Sequence, residues 1–325
     1  MNAAIDIEKL RRHERRKSFV WVKRNWGVYV MLLPALACTF VFSYMPMPGL
    51  MVAFQKSNPF AKYDIISMLT KNEWVGLFHI RKILSNTFIT RSIGNTLYLS
   101  VLSLVIGFPA PLILAFLLNE IKSMGFKRTV QTVSYLPYFL SWISVIGLAL
   151  NLYSMYGSIN DLRIMFARWM GWEEPKRLLF MGMQSFFVPN YMILSVWKGV
   201  GWGTIIYLAA ITSIDPQLYE AAVMDGAGKL RQTWHISLPG IMPTAMILLI
   251  FQLGGLFVSN FELVYGLQNA FIDFEVISTI VFKMGIGQGD YGLATAVGFM
   301  QGIIAFSLTF GANWLSKKIT GLGIW

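Results

Sequence analysis

Apolar and polar positions alternate along this chain in blocks, not in single steps. Long apolar runs occupy 27–55, 94–118, 129–160, 178–214, 236–261 and 291–315, and charged residues gather between them. Five runs contain no Asp, Glu, Lys or Arg, and 178–214 contains only Lys198. About 20 apolar residues carry a helix across a hydrocarbon core. A segment in lipid must satisfy its own backbone hydrogen bonds, so each run is predicted to be a transmembrane helix. Six crossings place both termini on one side. Pro34, Pro46, Pro48, Pro109, Pro111 and Pro137 lie within these runs and predict kinks, not breaks.

Composition agrees with that pattern. The chain is 55% hydrophobic and 13% charged, whereas soluble domains carry about 25% charged residues. The net charge of +11 invites a nucleic-acid reading, but eight Lys/Arg fall in the first 24 residues, directly before the first apolar run. Basic residues there fix a cytoplasmic N-terminus and favour anionic lipid headgroups. The expected organisation is a basic cytoplasmic segment, 1–26, retained and not cleaved as a leader, and a membrane domain, 27–325. With the N-terminus inside, the inner segments hold 15 Lys/Arg and the outer loops 11.

The first outer loop is basic as well. Its stretch 74–88 sets Trp74, Leu77, Ile80 and Leu84 against His79, Arg81 and Lys82, which predicts a helix lying on the outer surface. Tyr153, Tyr156 and Trp172 fall in the second outer loop, as interfacial anchors or as contacts for an extracytoplasmic partner. The single Cys38, inside an apolar run, reads as a packing residue.

The loop between spans four and five, 215–239, carries the most specific pattern. Asp215 is placed to cap a helix whose first residue is Pro216, and Gly226 to end it in a left-handed turn. A second short helix is predicted to stop before Pro239. Ala221 and Ala222 would leave the tip of this helical hairpin open to close approach by another protein.

Glu220-Ala221-Ala222, Gly226, Ile236 and Leu238-Pro239 match, residue for residue and in spacing, the signature of the inner-membrane permeases of binding-protein-dependent ABC importers. The resemblance extends over almost the whole chain after residue 20. Gly199-Val200-Gly201-Trp202, the stretch 238–244 and the terminal 321–325 resemble the carbohydrate-uptake branch, which includes permeases for alginate and pectin fragments. The resemblance implies an all-α, six-span membrane protein of the type I importer fold in the bacterial inner membrane. Loop 215–239 would be its cytoplasmic coupling helix. Glu220, Ala221, Ala222, Asp225, Gly226, Ala227, Leu238 and Pro239 are then the residues that meet an ATPase subunit. Implied partners are a second, similar permease, two ATPase copies, an extracytoplasmic binding protein and membrane lipid, with no nucleic acid.

This chain encodes no nucleotide site of its own. Gly226-Ala227-Gly228-Lys229 imitates a phosphate loop, but Val223 stands where the first Gly belongs and Leu230 where Ser or Thr follows the Lys. ATP and magnesium are expected on the partner ATPase. The three histidines lack metal-ligand spacing, and no nucleophile–base set suggests catalysis. The apolar runs lack interior carboxylates of the kind that proton-driven carriers use, which weighs against a secondary transporter.

For a substrate path, Ser195, Lys198 and Trp202 share a helical face at i, i+3 and i+7, and Gln252 and Ser259 on span five are seven apart. Sugar hydroxyls suit the polar groups and sugar ring faces suit the indole. Lys198 either pairs with a uronate or holds helices together. A non-sugar solute and a secondary transporter are the alternatives left open.

Overall fold

The computed structural model describes residue 21 and residues 23–58, 72–256, 259–321 and 323. The basic head, residues 59–71 and most of the terminal 321–325 stretch lie outside them, and so do the expectations placed there.

Span one runs Trp26–Phe54, as an α-helix through Thr39, a π turn Phe40–Tyr44 and a 3-10 segment Met47–Phe54. Pro34 is accommodated inside the helix. None of Trp26–Thr39 is buried within the chain. Cys38 is exposed on this surface, so it does not pack within the chain as expected.

Span two runs Thr87–Glu120 and remains helical through a π turn at Ser103–Gly107 just before Pro109. The looser turn absorbs the missing N–H. Asn86 starts it, its side-chain oxygen accepting from Phe88 N at 2.9 Å. The surface helix is therefore shorter than the sequence suggested, Phe78–Ser85. One of its polar residues does not face outward. His79 lies on the buried side with Ile83, while Trp74, Leu77 and Leu84 are exposed. His79 Nε2 sits 2.8 Å from the Gln55 carbonyl oxygen, a hydrogen bond that offsets the cost of burying the ring. Gly292 of span six leaves room for it, since a Cβ there would lie 2.6 Å from that nitrogen.

Span three is the main departure. Met124–Phe139 and Trp142–Leu152 meet at 105°, a break where a kink was expected at Pro137. Pro137 is the second residue of a 3-10 turn, Leu136–Phe139, the chain is extended at Leu140, and the Ser141 hydroxyl accepts from Ser144 N at 3.1 Å to start a new helix. Removing one N–H and capping a fresh N-terminus four residues later together produce a corner.

Span four is one helix, Gln184–Thr212, with Pro189 in its first turns. Span five runs Lys229–Gly254. The Gly254–Gly255 pair ends it, because glycine is the poorest helix former after proline. The chain then forms two short helices, Phe261–Leu267 and Ile277–Phe282, before span six, Tyr291–Thr320.

Three apolar clusters hold the bundle. Ala115, Tyr207, Ile211 and Ile241 join spans two, four and five at one end. Leu99, Val145, Tyr191 and Leu263 join spans two, three and four to the Phe261–Leu267 helix. Ala53, Ile89, Ile280 and Val297 join the end of span one to spans two and six.

Candidate coupling loop and translocation path

The loop between spans four and five folds as its residues dictate. Asp215 Oδ1 accepts from Gln217 N at 2.9 Å and caps the helix Pro216–Met224. At the other end Gly226 adopts φ +73°. Its N–H donates to the Val223 carbonyl at 3.0 Å and Ala227 N–H to the Ala222 carbonyl at 2.8 Å. That pair of bonds satisfies two carbonyls that the helix end would otherwise orphan, and it fixes where Ala227 sits. Glu220, Ala221 and Asp225 are exposed, and Ala222 and Ala227 half-buried.

The second half differs from expectation. Lys229–Gln232 does not stop before Pro239. It continues through a π turn, Thr233–Ser237, into Leu238–Gly254, with Leu238-Pro239 in the first turn. The wide turn gives proline a place where its missing N–H costs little. The loop is thus one free helix followed directly by the start of span five.

Two contacts tie the loop to the bundle. Tyr219 and Ser237 share a hydroxyl–hydroxyl hydrogen bond of 2.8 Å, and Lys229 Nζ lies 3.3 Å from Glu120 Oε2 at the end of span two. A groove of about 740 Å³ runs between them, lined by Glu120, Ile211, Tyr219, Glu220 and Lys229 among others. Leu218, Met224, Leu230 and Trp234 project into solvent around the loop. Sequence reasoning named the small residues and missed these large ones. Their signal was the presence of bulky apolar side chains in a segment that otherwise reads as water-facing.

The candidate path residues fall into three places. Ser195 and Gln252 line one cavity of about 200 Å³ with Ser103 and Gly199, and Gln252 Nε2 donates to the Ser103 carbonyl at 3.1 Å. Lys198 and Trp202 turn to the corner of span three. Lys198 is only 8% exposed, and its ammonium donates to the Tyr138 carbonyl at 2.7 Å, 5.1 Å from the centres of the Tyr138 and Trp142 rings. Trp202 lies flat on Tyr138, with centroids 4.6 Å apart and planes at 7°. Tyr138 and Trp142 were not singled out from the sequence, although their aromatic run around Pro137 was visible.

Ser259 is not on the span-five helix, which ends at Gly254, so the seven-residue spacing from Gln252 does not place the two on one face. Ser259 is buried, and its hydroxyl lies 3.1 Å from that of Ser278. Among the described residues no cluster of His, Cys, Asp or Glu could hold a metal ion.

Comparison with known proteins agrees with this architecture. The description "Binding-protein-dependent transport system inner membrane component" matches residues 107–321. The polygalacturonan/rhamnogalacturonan transport system permease protein YteP of Bacillus subtilis (strain 168) is 39% identical over 99% of this chain and 97% of its own length. Protein LplB of the same organism is 37% identical over 95% of each chain. A bacterial ABC transporter involved in the import of the acidic polysaccharide alginate has a chain that superposes with a TM-score of 0.81 at 36% identity, covering 94% of this chain and 99% of that one. The six-span fold of such importer permeases is therefore the fold observed. The chain belongs to the family of inner-membrane components of binding-protein-dependent transport systems.

Proposed function

We propose that this chain forms half of the membrane path of an ATP-driven importer for oligo- or polysaccharides that carry carboxylates. A second permease completes the path, two copies of an ATPase on separate polypeptides bind ATP and magnesium, and an extracytoplasmic binding protein delivers the cargo. Loop 215–239 and both termini face the cytoplasm. The first helix is apolar all round and unburied within the chain, so lipid and the partner permease share its surface in this reading.

The Pro216–Met224 helix carries the coupling reading. Asp215 and Gly226 fix its two ends, the Tyr219–Ser237 hydrogen bond holds it to the bundle, and its exposed Glu220 and Ala221 flank large apolar side chains. Such a helix can seat in a cleft and transmit a shift to span five, with which its loop is continuous.

The cargo class rests on Lys198. A cation at this depth costs about 2.5–3.5 kcal/mol on insertion scales, and among the described residues its ammonium meets one carbonyl and two aromatic faces and no carboxylate. A uronate would supply the missing anion. The names of the polygalacturonan and alginate systems point the same way.

One reconstitution tests both parts. Glu220→Lys should reduce ATPase co-purification or separate hydrolysis from uptake, and wild-type values of both would remove the coupling role. Lys198→Gln should lose the Tyr138 carbonyl bond and some thermal stability, leave the complex assembled, and lower uptake of acidic oligosaccharides more than of matched neutral ones. Equal loss of both cargoes would make Lys198 a helix tie only.

A further inference from the structure

The segment between spans three and four contains the amphipathic helix Ser158–Trp169, and its two faces are used differently. Asn160, Arg163, Ile164 and Ala167 recur at i, i+3, i+4 and i+7 and form the inner stripe, buried or half-buried. Asn160 is the fixed point. Its amide donates to the carbonyls of Ser154, Met155 and Leu178, and its oxygen accepts from Leu178 N and from Arg163. Arg163 also lies over the Phe180 ring at 5.4 Å. The opposite stripe, Leu162, Met165, Phe166 and Trp169, follows the same spacing and is wholly exposed, Trp169 at 78%. Trp172 extends it, packing edge-on against Phe166 at 6.0 Å.

Asp161 and Arg168 lie together on one flank between these stripes. Both are engaged, Arg177 with Asp161 at 2.8 Å and Arg168 with Glu174 at 2.7 Å. Hydrogen bonding and attraction from Arg168 hold the Glu174 carboxyl below its ordinary value. The helix therefore has a protein side, an unpartnered aromatic side and a charged edge between them.

Its position selects the occupant. Gly157, just before the helix, is pressed onto the last turn of span three, where a Cβ would lie 2.3 Å from the Asn151 carbonyl oxygen. The Asn160 bonds to Leu178 hold the same end beside the chain leading into span four. The helix thus starts at the level where two spans leave the hydrocarbon core. A patch of Trp, Phe, Met and Leu this size seldom remains in water. A binding protein that docks and departs would leave it wet through part of each cycle, whereas lipid covers it throughout. Trp and Phe opposite a charged flank at that depth is the composition of an interfacial helix.

We propose that Ser158–Trp169 lies in the membrane interface as a lipid anchor, with Leu162, Met165, Phe166, Trp169 and Trp172 in the acyl boundary and the Asp161–Arg168 edge in the headgroup water. Anchored in this way, it fixes the height of the ends of spans three and four beside the bent span. The proposal rests on the permease reading for the presence of a membrane but not on which side the helix occupies.

The test uses the assembled complex in liposomes, with Cys38→Ser as background and spin labels at Met165→Cys, Trp169→Cys, Asp161→Cys and Arg168→Cys. All four positions are exposed, so the labels are tolerated. Labels at 165 and 169 should favour oxygen over a water-soluble nickel chelate several-fold more than labels at 161 and 168. Equal nickel access at all four positions would overturn the anchor. Protection at 165 and 169 that appears only when the binding protein is added would assign the face to that partner and also overturn it. Low access of both oxygen and nickel at 165 and 169 would assign the face to a packed contact with the second permease, with the same consequence. Sidedness, read separately with an impermeant thiol reagent at Lys229→Cys, can fail without changing the depth result.

Discussion

Two glycines two residues apart on span four should respond to the same substitution with opposite sign. At Gly201 an added Cβ would lie 2.1 Å from the Ser134 carbonyl oxygen, 2.6 Å from its carbon and 2.9 Å from Tyr135 Cα, all backbone. Ordinary contact begins at 3.4 Å, so Gly201→Ala must part spans three and four by about 1.3 Å. Backbone cannot yield as a flexible side chain does, and such overpacking costs about 1–3 kcal/mol. The same movement would stretch the 2.7 Å bond from Lys198 to the Tyr138 carbonyl beyond hydrogen-bonding distance, a charge-assisted bond worth about 1.5–3 kcal/mol. It would also open the Trp202–Tyr138 stack. The expected loss is on the order of 3 kcal/mol. Gly199 has nothing within 4 Å, and Gly199→Ala gains helix propensity of up to about 1 kcal/mol. Thermal unfolding of the two purified complexes in one detergent measures the contrast. Gly201→Ala should melt several degrees below wild type and Gly199→Ala at or above it. If Gly201→Ala melts with wild type, or if Gly199→Ala melts lower than Gly201→Ala, the close approach of spans three and four at this corner is wrong.

Three further outcomes are expected. Gly226→Ala meets no neighbour but must hold φ +73°, which costs a non-glycine residue about 1–2 kcal/mol, so ATPase co-purification should weaken while the thermal stability of the membrane bundle is retained. Burial pushes the Asp290 carboxyl up, but hydrogen bonds from Ser57 and from Leu293 N–H, with the Lys82 ammonium, outweigh it and hold the group below the ordinary aspartate value. A depressed folded pKa gives stability that is present above the unfolded value of about 3.9 and lost as pH falls through the folded one. Asp290→Asn should therefore lower the melting temperature at pH 7, and the gap to wild type should close only below about pH 4. With the cytoplasmic loop assigned as proposed, an impermeant thiol reagent should label Arg177→Cys from outside and Lys122→Cys and Lys229→Cys only after the membrane is opened; external labelling of Lys229→Cys would refute the orientation.

Much of this was written in the sequence at the level of blocks. Charge-free runs identify the spans because lipid imposes one demand on every segment that crosses it. The Asp215 cap, Pro216 and Gly226 are legible because each acts through its own backbone and needs no distant partner. Features made by partners far apart in sequence were not legible. The corner at Pro137 needs Ser141 to restart the helix and Lys198, 60 residues away, to take the freed Tyr138 carbonyl. His79 looked polar and water-facing because its acceptor, the Gln55 carbonyl, is a backbone atom that any residue would have supplied. The glycine pair that ends span five was visible in the sequence, yet apolar residues on both sides concealed the stop.

The corner and the free helix lie on one mechanical line through span four. Span four is a single 29-residue helix with Lys198 and Trp202 near its middle and the Asp215 cap just beyond its end. Along it, Thr204 donates to the Pro111 carbonyl at 3.1 Å, and Gly203 lies so near the Pro111 ring that a Cβ would come within 2.8 Å. Contacts this close transmit displacement, because backbone and proline ring have little freedom to absorb it. A push on loop 215–239 would therefore reach span two by two routes, through the Lys229–Glu120 pair at the start of span five and along span four to Pro111. The first is an exposed ion pair, worth little by itself. The second is built from packed backbone. Uncoupling should accordingly follow from substitutions at Gly203 far more readily than from breaking the ion pair. Gly203→Leu set beside Glu120→Gln, with transport per ATP hydrolysed as the readout, decides between the two routes; a larger effect of Glu120→Gln would place the transmission in the ion pair and not in the packed helix.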